Sequence, residues 1–290
     1  MATKRKTILI TGCSSGGIGA ALARALANQG HHVFATARNT AKIPAELTEL
    51  SNVSTLQLDV TSPTSVAHAA SVVGEVTGQL QGVRGLDVLV NNAGFGYTMP
   101  ILDIDIEEAQ KVYDTNVWGP LRTIQTFSDL LIARKGRVVN VSSLSAVLNP
   151  PWYATYASSK AALTTLSETL RLELAPFGVS VVTIMLGTIA TSFHTNEPTL
   201  VLPPTSRYAA ALDAITTWSK GEAGPQRAPL EDAVKSLLPD IVGESKSGQT
   251  WRGPFSAIVR FASTWLPTFI LDYQLSAGHG LDMVSESLKK

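Results

Sequence analysis

Three side chains in the middle of the chain are of types that move protons. Tyr156 and Lys160 stand four residues apart, and Ser143 lies thirteen residues upstream of the tyrosine. The stretch from Ala154 up to Pro176 is rich in Ala, Leu, Ser and Glu and has no internal proline. It predicts a helix, on which side chains at i and i+4 share a face. A phenol with a reference pKa of about 10 is a poor acid-base group near neutrality, but an adjacent ammonium favours the phenolate and pulls that value down. Lys160 would supply the ammonium. Taken alone, the Tyr-x-x-x-Lys spacing also fits a helix with a surface lysine and a buried tyrosine.

A second element lies near the N-terminus. Thr7–Gly12 is a short apolar run of strand type, followed by the turn Thr11-Gly12-Cys13-Ser14-Ser15-Gly16-Gly17-Ile18-Gly19 and then by Ala and Leu at helical spacing through Ala27. Strand, glycines and helix in that order let a backbone approach a pyrophosphate, whose charge meets the free amides and positive dipole at the helix start. A lone glycine-rich turn is also an ordinary tight turn.

With Asn91-Asn92-Ala93-Gly94 added, the chain resembles the short-chain dehydrogenase/reductases over roughly residues 5 to 195. Its glycine turn has one residue more than the commonest Thr-Gly-x-x-x-Gly-x-Gly spacing. Asn91–Gly94 matches the element after the fourth strand, Asn116 matches an asparagine of the next helix, and Ser143, Tyr156 and Lys160 match the catalytic trio. After the sixth strand the family usually has Pro-Gly, whereas this chain has Leu186-Gly187. The layout is most similar to the fungal 1-acyldihydroxyacetone-phosphate reductase group, which implies a place in lipid or secondary metabolism.

The resemblance implies an NADP(H)-dependent oxidoreductase. Its cofactor contacts would be Gly12, Ser14, Ser15, Gly17, Ile18, Gly19, Arg38, Asp59, Val60, Asn92, Ala93, Gly94, Tyr156, Lys160, Gly187, Ile189 and Thr191. At the end of the second strand a carboxylate would bind the ribose 2′-hydroxyl of NAD, whereas a 2′-phosphate needs a cation. Here Ala37 takes the acidic position and Arg38 follows. The resemblance gives that arginine to the phosphate; as a bare residue it is also a solvated surface cation. An Asp at a strand end, like Asp59, is likewise an ordinary turn residue.

In roles, Tyr156 is the general acid for reduction of a ketone, Ser143 holds the substrate oxygen, Lys160 tunes the phenol and holds the nicotinamide ribose, and Asn116 supports a proton-relay water. Run backwards, the site oxidises a secondary alcohol. The pocket walls are expected from Phe95, Leu148, Trp152, Tyr153 and Phe193, with Tyr97 and Met99 nearby. They suit a lipid-like, steroid-like or polyketide-like ketone and equally a plain core. A phosphate-bearing substrate would need a cation such as Arg207, Lys220 or Arg227. A dinucleotide-binding sensor without catalysis is the non-enzyme alternative, against which the intact trio argues.

Short apolar runs at Thr7–Thr11, His32–Thr36, Ser54–Leu58, Leu86–Asn91, Arg137–Ser142 and Ser180–Met185 read as strands, with a seventh expected near Gln249–Arg252. Helices are expected over Gly19–Asn28, Ser65–Gln79, Ile106–Ala133 and Tyr153–Ala175, the third long enough to carry a homodimer face. The fold class is α/β: a single doubly wound parallel sheet of Rossmann type over 1–290, order 3-2-1-4-5-6, with 188–290 as substrate loop and C-terminal extension.

Net charge is zero, so there is no electrostatic case for nucleic acid as a partner. The single cysteine, Cys13, allows no intrachain disulfide and suits a reducing compartment. The five histidines form no metal-ligand spacing, so no metal is expected. The N-terminus shows charge and no apolar signal region, so a cytoplasmic location is expected. The apolar stretch 254–271 is broken by Arg260 and Pro267 and is short for a bilayer span. It packs on the domain or a partner copy, rests on a membrane surface such as endoplasmic reticulum or lipid droplet, or caps the pocket.

Overall fold

A computed structural model describes residues 5–224, 226–243 and 247–289. The expected ranges 1–290 and 188–290 include residues 1–4, 225, 244–246 and 290, which lie outside the described residues. The strands are β1 (Thr7–Ile10), β2 (His32–Ala37), β3 (Val53–Gln57), β4 (Val88–Asn91), β5 (Arg137–Val141), β6 (Ser180–Leu186) and β7 (Gly248–Arg252). They form one parallel sheet in the order β3-β2-β1-β4-β5-β6-β7. The α-helices are α1 (Ile18–Asn28), α2 (Ala45–Thr48), α3 (Pro63–Gln81), α4 (Ile106–Tyr113), α5 (Gly119–Arg134), α6 (Ala154–Leu174), α7 (Leu212–Ser219), α8 (Leu230–Val242), α9 (Ser256–Trp265), α10 (Thr268–Ser276) and α11 (Leu281–Ser287).

Alternate strand residues feed two apolar layers, as the period of two requires. Ile8, Ile10, Val33, Ala35, Val88, Val90, Val139, Val182 and Ile184 face α1 and α8, meeting Leu22, Leu26, Val234 and Leu237. Leu9, Phe34, Leu89, Val138 and Val181 face the other way, toward Val66, Val73, Phe127 and Leu131 on α3 and α5. Burial on both sides explains why the strands read as nearly unbroken apolar runs. The order reverses between β1 and β4, and the crevice beyond the carboxyl ends of those strands is where an open α/β sheet binds its ligand.

One expectation needs correction and two further elements refine the sequence reading. The single helix over Ile106–Ala133 is divided: α4 runs into a π-helical segment, Asp114–Trp118, before α5 begins. Pro120 has no N–H to give the carbonyl of Asn116, so the α ladder breaks there and Gly119 N–H reaches back five residues to Asp114 O. The apolar stretch 254–271 divides at Pro267, one of the two residues that interrupt it in the sequence. Pro267 stops α9 and starts α10, and the two helices enclose the pocket described below. α8 was not anticipated. Its Ala233, Val234, Leu237 and Ile241 form a buried stripe at helical spacing, but the interior Pro239 disguises it.

Polar groups tie the sheet to its helices. Arg252 on β7 grips Asp240 of α8 with two bonds, Nε to Oδ2 at 2.7 Å and Nη2 to Oδ1 at 2.8 Å. A buried chain links Thr123, Asn91, Asn140 and Ser167 across β4 and β5, with bonds of 2.7, 2.8 and 2.8 Å.

Candidate active site

The glycine turn between β1 and α1 is shaped by contact. Gly12 adopts φ +77°, and a Cβ there would come within 2.9 Å of Ala93 Cα. Asn92 straps the turn to β4: its Nδ2 donates to Thr11 O at 2.9 Å and Gly12 O at 3.2 Å, and the Thr11 hydroxyl accepts the N–H groups of Asn92 and Ala93, both at 3.0 Å. The start of α1, capped by Gly17 without a side-chain bond, is thus open to an anion.

Beyond the turn opens a cavity of about 1950 Å³, larger than the roughly 300–1,000 Å³ of one small-molecule site. Of the expected cofactor residues, Gly12, Ser14, Ser15, Gly17, Ile18, Arg38, Asp59, Val60, Asn92, Ala93, Gly94, Tyr156, Lys160, Gly187, Ile189 and Thr191 lie on its wall. Gly19 is not on the wall. A Cβ on it would meet Asn92 Nδ2 at 2.6 Å, so it is a packing glycine. Ala37 and the exposed Arg38 line the far end. Asn39 and Lys42 join them, and Lys42 O accepts Ser15 N–H at 2.9 Å, so the segment after β2 folds over the turn. Sequence reasoning stopped at the strand end and missed both. Gly187 N–H donates to Arg252 O at 2.9 Å, and β6 continues through Leu186 in register with Arg252, so the turn without proline is anchored by β7.

At the centre of the cavity Ser143 and Tyr156 lie on the same wall, close enough for the serine hydroxyl to act on the phenol. Ser143 is placed by the end of β5, where its Oγ accepts Ser145 N–H at 3.1 Å. Burial pushes the Tyr156 phenol well above its usual range, the Ser143 hydroxyl draws it partly back, and the charge of Glu197 pushes it further up. This differs from the expected downward pull. Lys160 Nζ stands 5.7 Å from the phenol ring centroid and donates to Val141 O at 2.8 Å. Burial moves the lysine itself down to about 8. A Cβ on Gly94 would lie 3.0 Å from Asn116 Oδ1 and 3.5 Å from Lys160 Nζ, so the glycine leaves an open approach beside the ammonium.

Asn116 is fully buried in the π-helical segment. Its Oδ1 accepts Phe95 N–H at 3.1 Å, and its Nδ2 donates to Phe95 O and Ser159 Oγ, both at 3.0 Å. The side chain is therefore committed to structure. Phe95, Leu148, Tyr153 and Phe193 line the cavity, whereas Trp152, Tyr97 and Met99 are core residues. Trp152 turns away because its indole donates to His279 O at 2.9 Å. Of the three proposed phosphate cations only Arg227 lies on the wall. Ile258 and Ala262 of α9, Leu266 just after it and Ile270 of α10 complete the apolar side. Cys13, buried with its thiol pushed up to about 12 by burial, is no nucleophile at neutral pH.

The family model described as short chain dehydrogenase matches residues 6–199. The chain belongs to the short-chain dehydrogenase family. The short-chain dehydrogenase ptmH of Penicillium ochrochloron is 42% identical over 270 residues, which cover 93% of this chain and 96% of that protein. The NADPH-dependent 1-acyldihydroxyacetone phosphate reductase of Schizosaccharomyces pombe is 36% identical over 277 residues, 94% of this chain and 88% of that one. Among solved structures, a short-chain dehydrogenase from Streptomyces avermitilis superposes with a TM-score of 0.76 at 25% identity, covering 99% of this chain and all (100%) of that one. One from Burkholderia cenocepacia, in complex with NADP, has a TM-score of 0.73 at 24% identity over 96% of this chain and 100% of that one. For this dehydrogenase chain the family match ends at residue 199, and α7 to α11 lie beyond it.

Proposed function

We propose that this short-chain dehydrogenase uses NADPH to reduce a ketone on a largely apolar substrate to a secondary alcohol. The observation that carries this reading is the placing of Ser143 and the buried Tyr156 on the wall of a cavity that the glycine turn and apolar side chains also line. Arg38 and Lys42, with no carboxylate at the end of β2, suit a 2′-phosphate. Relatives described as NADPH-dependent or NADP-bound point the same way.

When bound, the reduced nicotinamide supplies hydride to the carbonyl carbon. Tyr156, held protonated by burial at neutral pH, gives its proton to the carbonyl oxygen, and the product is the alcohol. Ser143 donates to the same oxygen as its charge develops, which contributes most in the transition state. Lys160 stabilises the phenolate left behind. Because the Asn116 side chain is fully engaged, its relay role falls to the main-chain carbonyl, which Pro120 cannot cap. The test is a panel of ketones with NADPH and NADH, followed at the nicotinamide absorbance. Turnover of apolar ketones with NADPH supports the reading; no turnover of any ketone or alcohol would leave only a dinucleotide-binding role.

A second reading, reduction of a phosphate-bearing acyl ketone, is favoured by Arg227, which lies on the cavity wall. Replacing it with alanine would then raise KM for a phosphorylated ketone alone. For partners, the outer face of α9 and α10 is assigned to a lipid surface. Trp265, Phe269 and Tyr273 are 73, 70 and 77% exposed there, while the inner face lines the cavity. No helix among the described residues is long and apolar enough to cross a membrane, so such contact is peripheral. A homodimer is assigned to the α5–α6 side, where Leu166 and Leu172 are exposed, and sedimentation measures it.

A further inference from the structure

Behind the cavity wall lies a carboxylate that the proposed reaction does not use. Glu197, on the segment after β6, has a side chain only 2% exposed. It is absent from the cavity lining, yet it collects donors from three parts of the chain. Its Oε1 accepts from the Tyr153 hydroxyl at 3.0 Å and lies 2.8 Å from His194 Nδ1; its Oε2 accepts from the Thr98 hydroxyl at 2.8 Å. A buried carboxylate needs such partners. The fit is tight. A Cβ on Gly96 would come within 2.8 Å of the Glu197 carboxyl carbon and closer still to Oε1 and the Tyr153 hydroxyl.

What the carboxylate holds is part of the active site. The Tyr153 ring lies against Tyr156, with centroids 4.7 Å apart and planes tilted by 37°. Phe193, next to His194, meets Tyr156 edge-on at 5.5 Å. Tyr153, Phe193 and His194 all line the cavity. We propose that Glu197 is a positioning residue: it fastens the segment after β6 to Thr98 and Tyr153, and so fixes the rings that back Tyr156 and shape the ketone pocket. This rests on Tyr156 being the proton donor.

The charged and titratable groups around the carboxylate are Tyr153 just before α6, Tyr156 in its first turn and His194 on its own turn, with Arg227 beyond His194, both side chains closing on Gly221. No cation other than a protonated His194 is paired with Glu197 among the described residues. Its negative charge therefore opposes ionisation of Tyr156.

The test is Glu197→Gln in the full-length protein, compared with Tyr156→Phe and with Tyr153→Phe, which removes one hydroxyl and keeps the ring. The Glu197→Gln protein is expected to show a KM for the ketone raised about tenfold, the scale of a lost charge-assisted hydrogen bond, with NADPH affinity unchanged. In a Lys160→Met background, where the alkaline limb reports the phenol itself, adding Glu197→Gln should move that limb to lower pH, because losing a nearby negative charge favours the deprotonated form of a buried group. Tyr153→Phe should reproduce the KM effect with a smaller pH shift in that background, and it decides the matter if Glu197→Gln does not fold. Wild-type KM in both variants and an unmoved limb in the Lys160→Met background, beside an inactive Tyr156→Phe, would overturn the role of Glu197 alone. An active Tyr156→Phe would instead remove the proton-donor reading on which it stands.

Discussion

The Lys160 ammonium lies 5.7 Å from the centroid of the Tyr156 ring and donates to the carbonyl oxygen of Val141 at 2.8 Å. One turn of α6 brings the two residues together, and burial then acts on them in opposite directions, the phenol up and the lysine down to about 8. Below that value the ammonium is present to receive the charge of a forming phenolate; above it the site loses its cation. For reduction, kcat/KM should hold below about pH 8 and fall above it. In Lys160→Met the remaining activity should show its limb at higher pH, where the phenol itself titrates.

The same residue links pH to stability. Its folded value of about 8 lies below the ordinary 10.5, so between those limits the unfolded chain binds more protons than the native one, and this group's contribution to stability rises with pH. Below pH 8 the full cost of a buried ammonium is present. The difference in melting temperature between Lys160→Met and wild type, without ligand, should be constant below pH 8 and drift steadily in favour of wild type from there to about 10.5. A difference independent of pH would mean that the lysine is not desolvated.

Replacement of Tyr156 by phenylalanine removes the proton and leaves the ring between Tyr153 and Phe193. The rate should fall by about 10²–10⁴, the usual share of a general acid, while NADPH still quenches protein fluorescence with wild-type affinity. Full activity in this variant would mean that the proton comes from elsewhere.

Arg38 gives a sharper test of cofactor choice, because it is exposed and touches the rest of the protein little: its carbonyl accepts a bond from Gln57 at 3.1 Å. Arg38→Ala should weaken NADPH binding by about 10- to 100-fold, the range of a hydrogen bond to a charged group, and leave NADH affinity as it was. Equal losses for both cofactors would take Arg38 out of the 2′-phosphate site and leave Lys42 as the candidate.

The strands were readable because a sheet buried on both faces writes itself as short apolar runs, and the Tyr156–Lys160 pair because a helix imposes its period. What escaped depends on contacts between distant parts of the chain. Glu197 meets Thr98 and Tyr153 across 99 and 44 residues, and no spacing announces that. Asn116 is legible as a position but not as a side chain spent on Phe95 and Ser159. Gly119-Pro120 did carry the signal for the broken helix. Trp152 reads as a pocket wall by composition, yet a bond to His279 turns it into the core.

The outer face of α9 and α10 carries the last prediction. Trp265, Phe269 and Tyr273 follow one another at four-residue steps across the Leu266–Pro267 break, and none of the three lines the cavity. They can therefore be changed without touching the pocket. Burying an aromatic side chain of this size is worth about 1.5–3 kcal/mol, so Trp265→Ser with Phe269→Ser should abolish sedimentation with phosphatidylcholine vesicles while turnover of a water-soluble ketone stays at the wild-type level. The face holds one cation, Arg260, and one acid, Asp272. Binding should accordingly depend little on salt or on anionic lipid, unlike attachment through a basic patch. A ketone dissolved in the bilayer would reach Tyr156 past Ile258 and Ile270, which lie on the cavity side of the same helices, so the double variant should lose kcat/KM for that substrate alone. Equal loss with both ketones would place the defect in the pocket, and unchanged sedimentation would show that lipid does not cover this face.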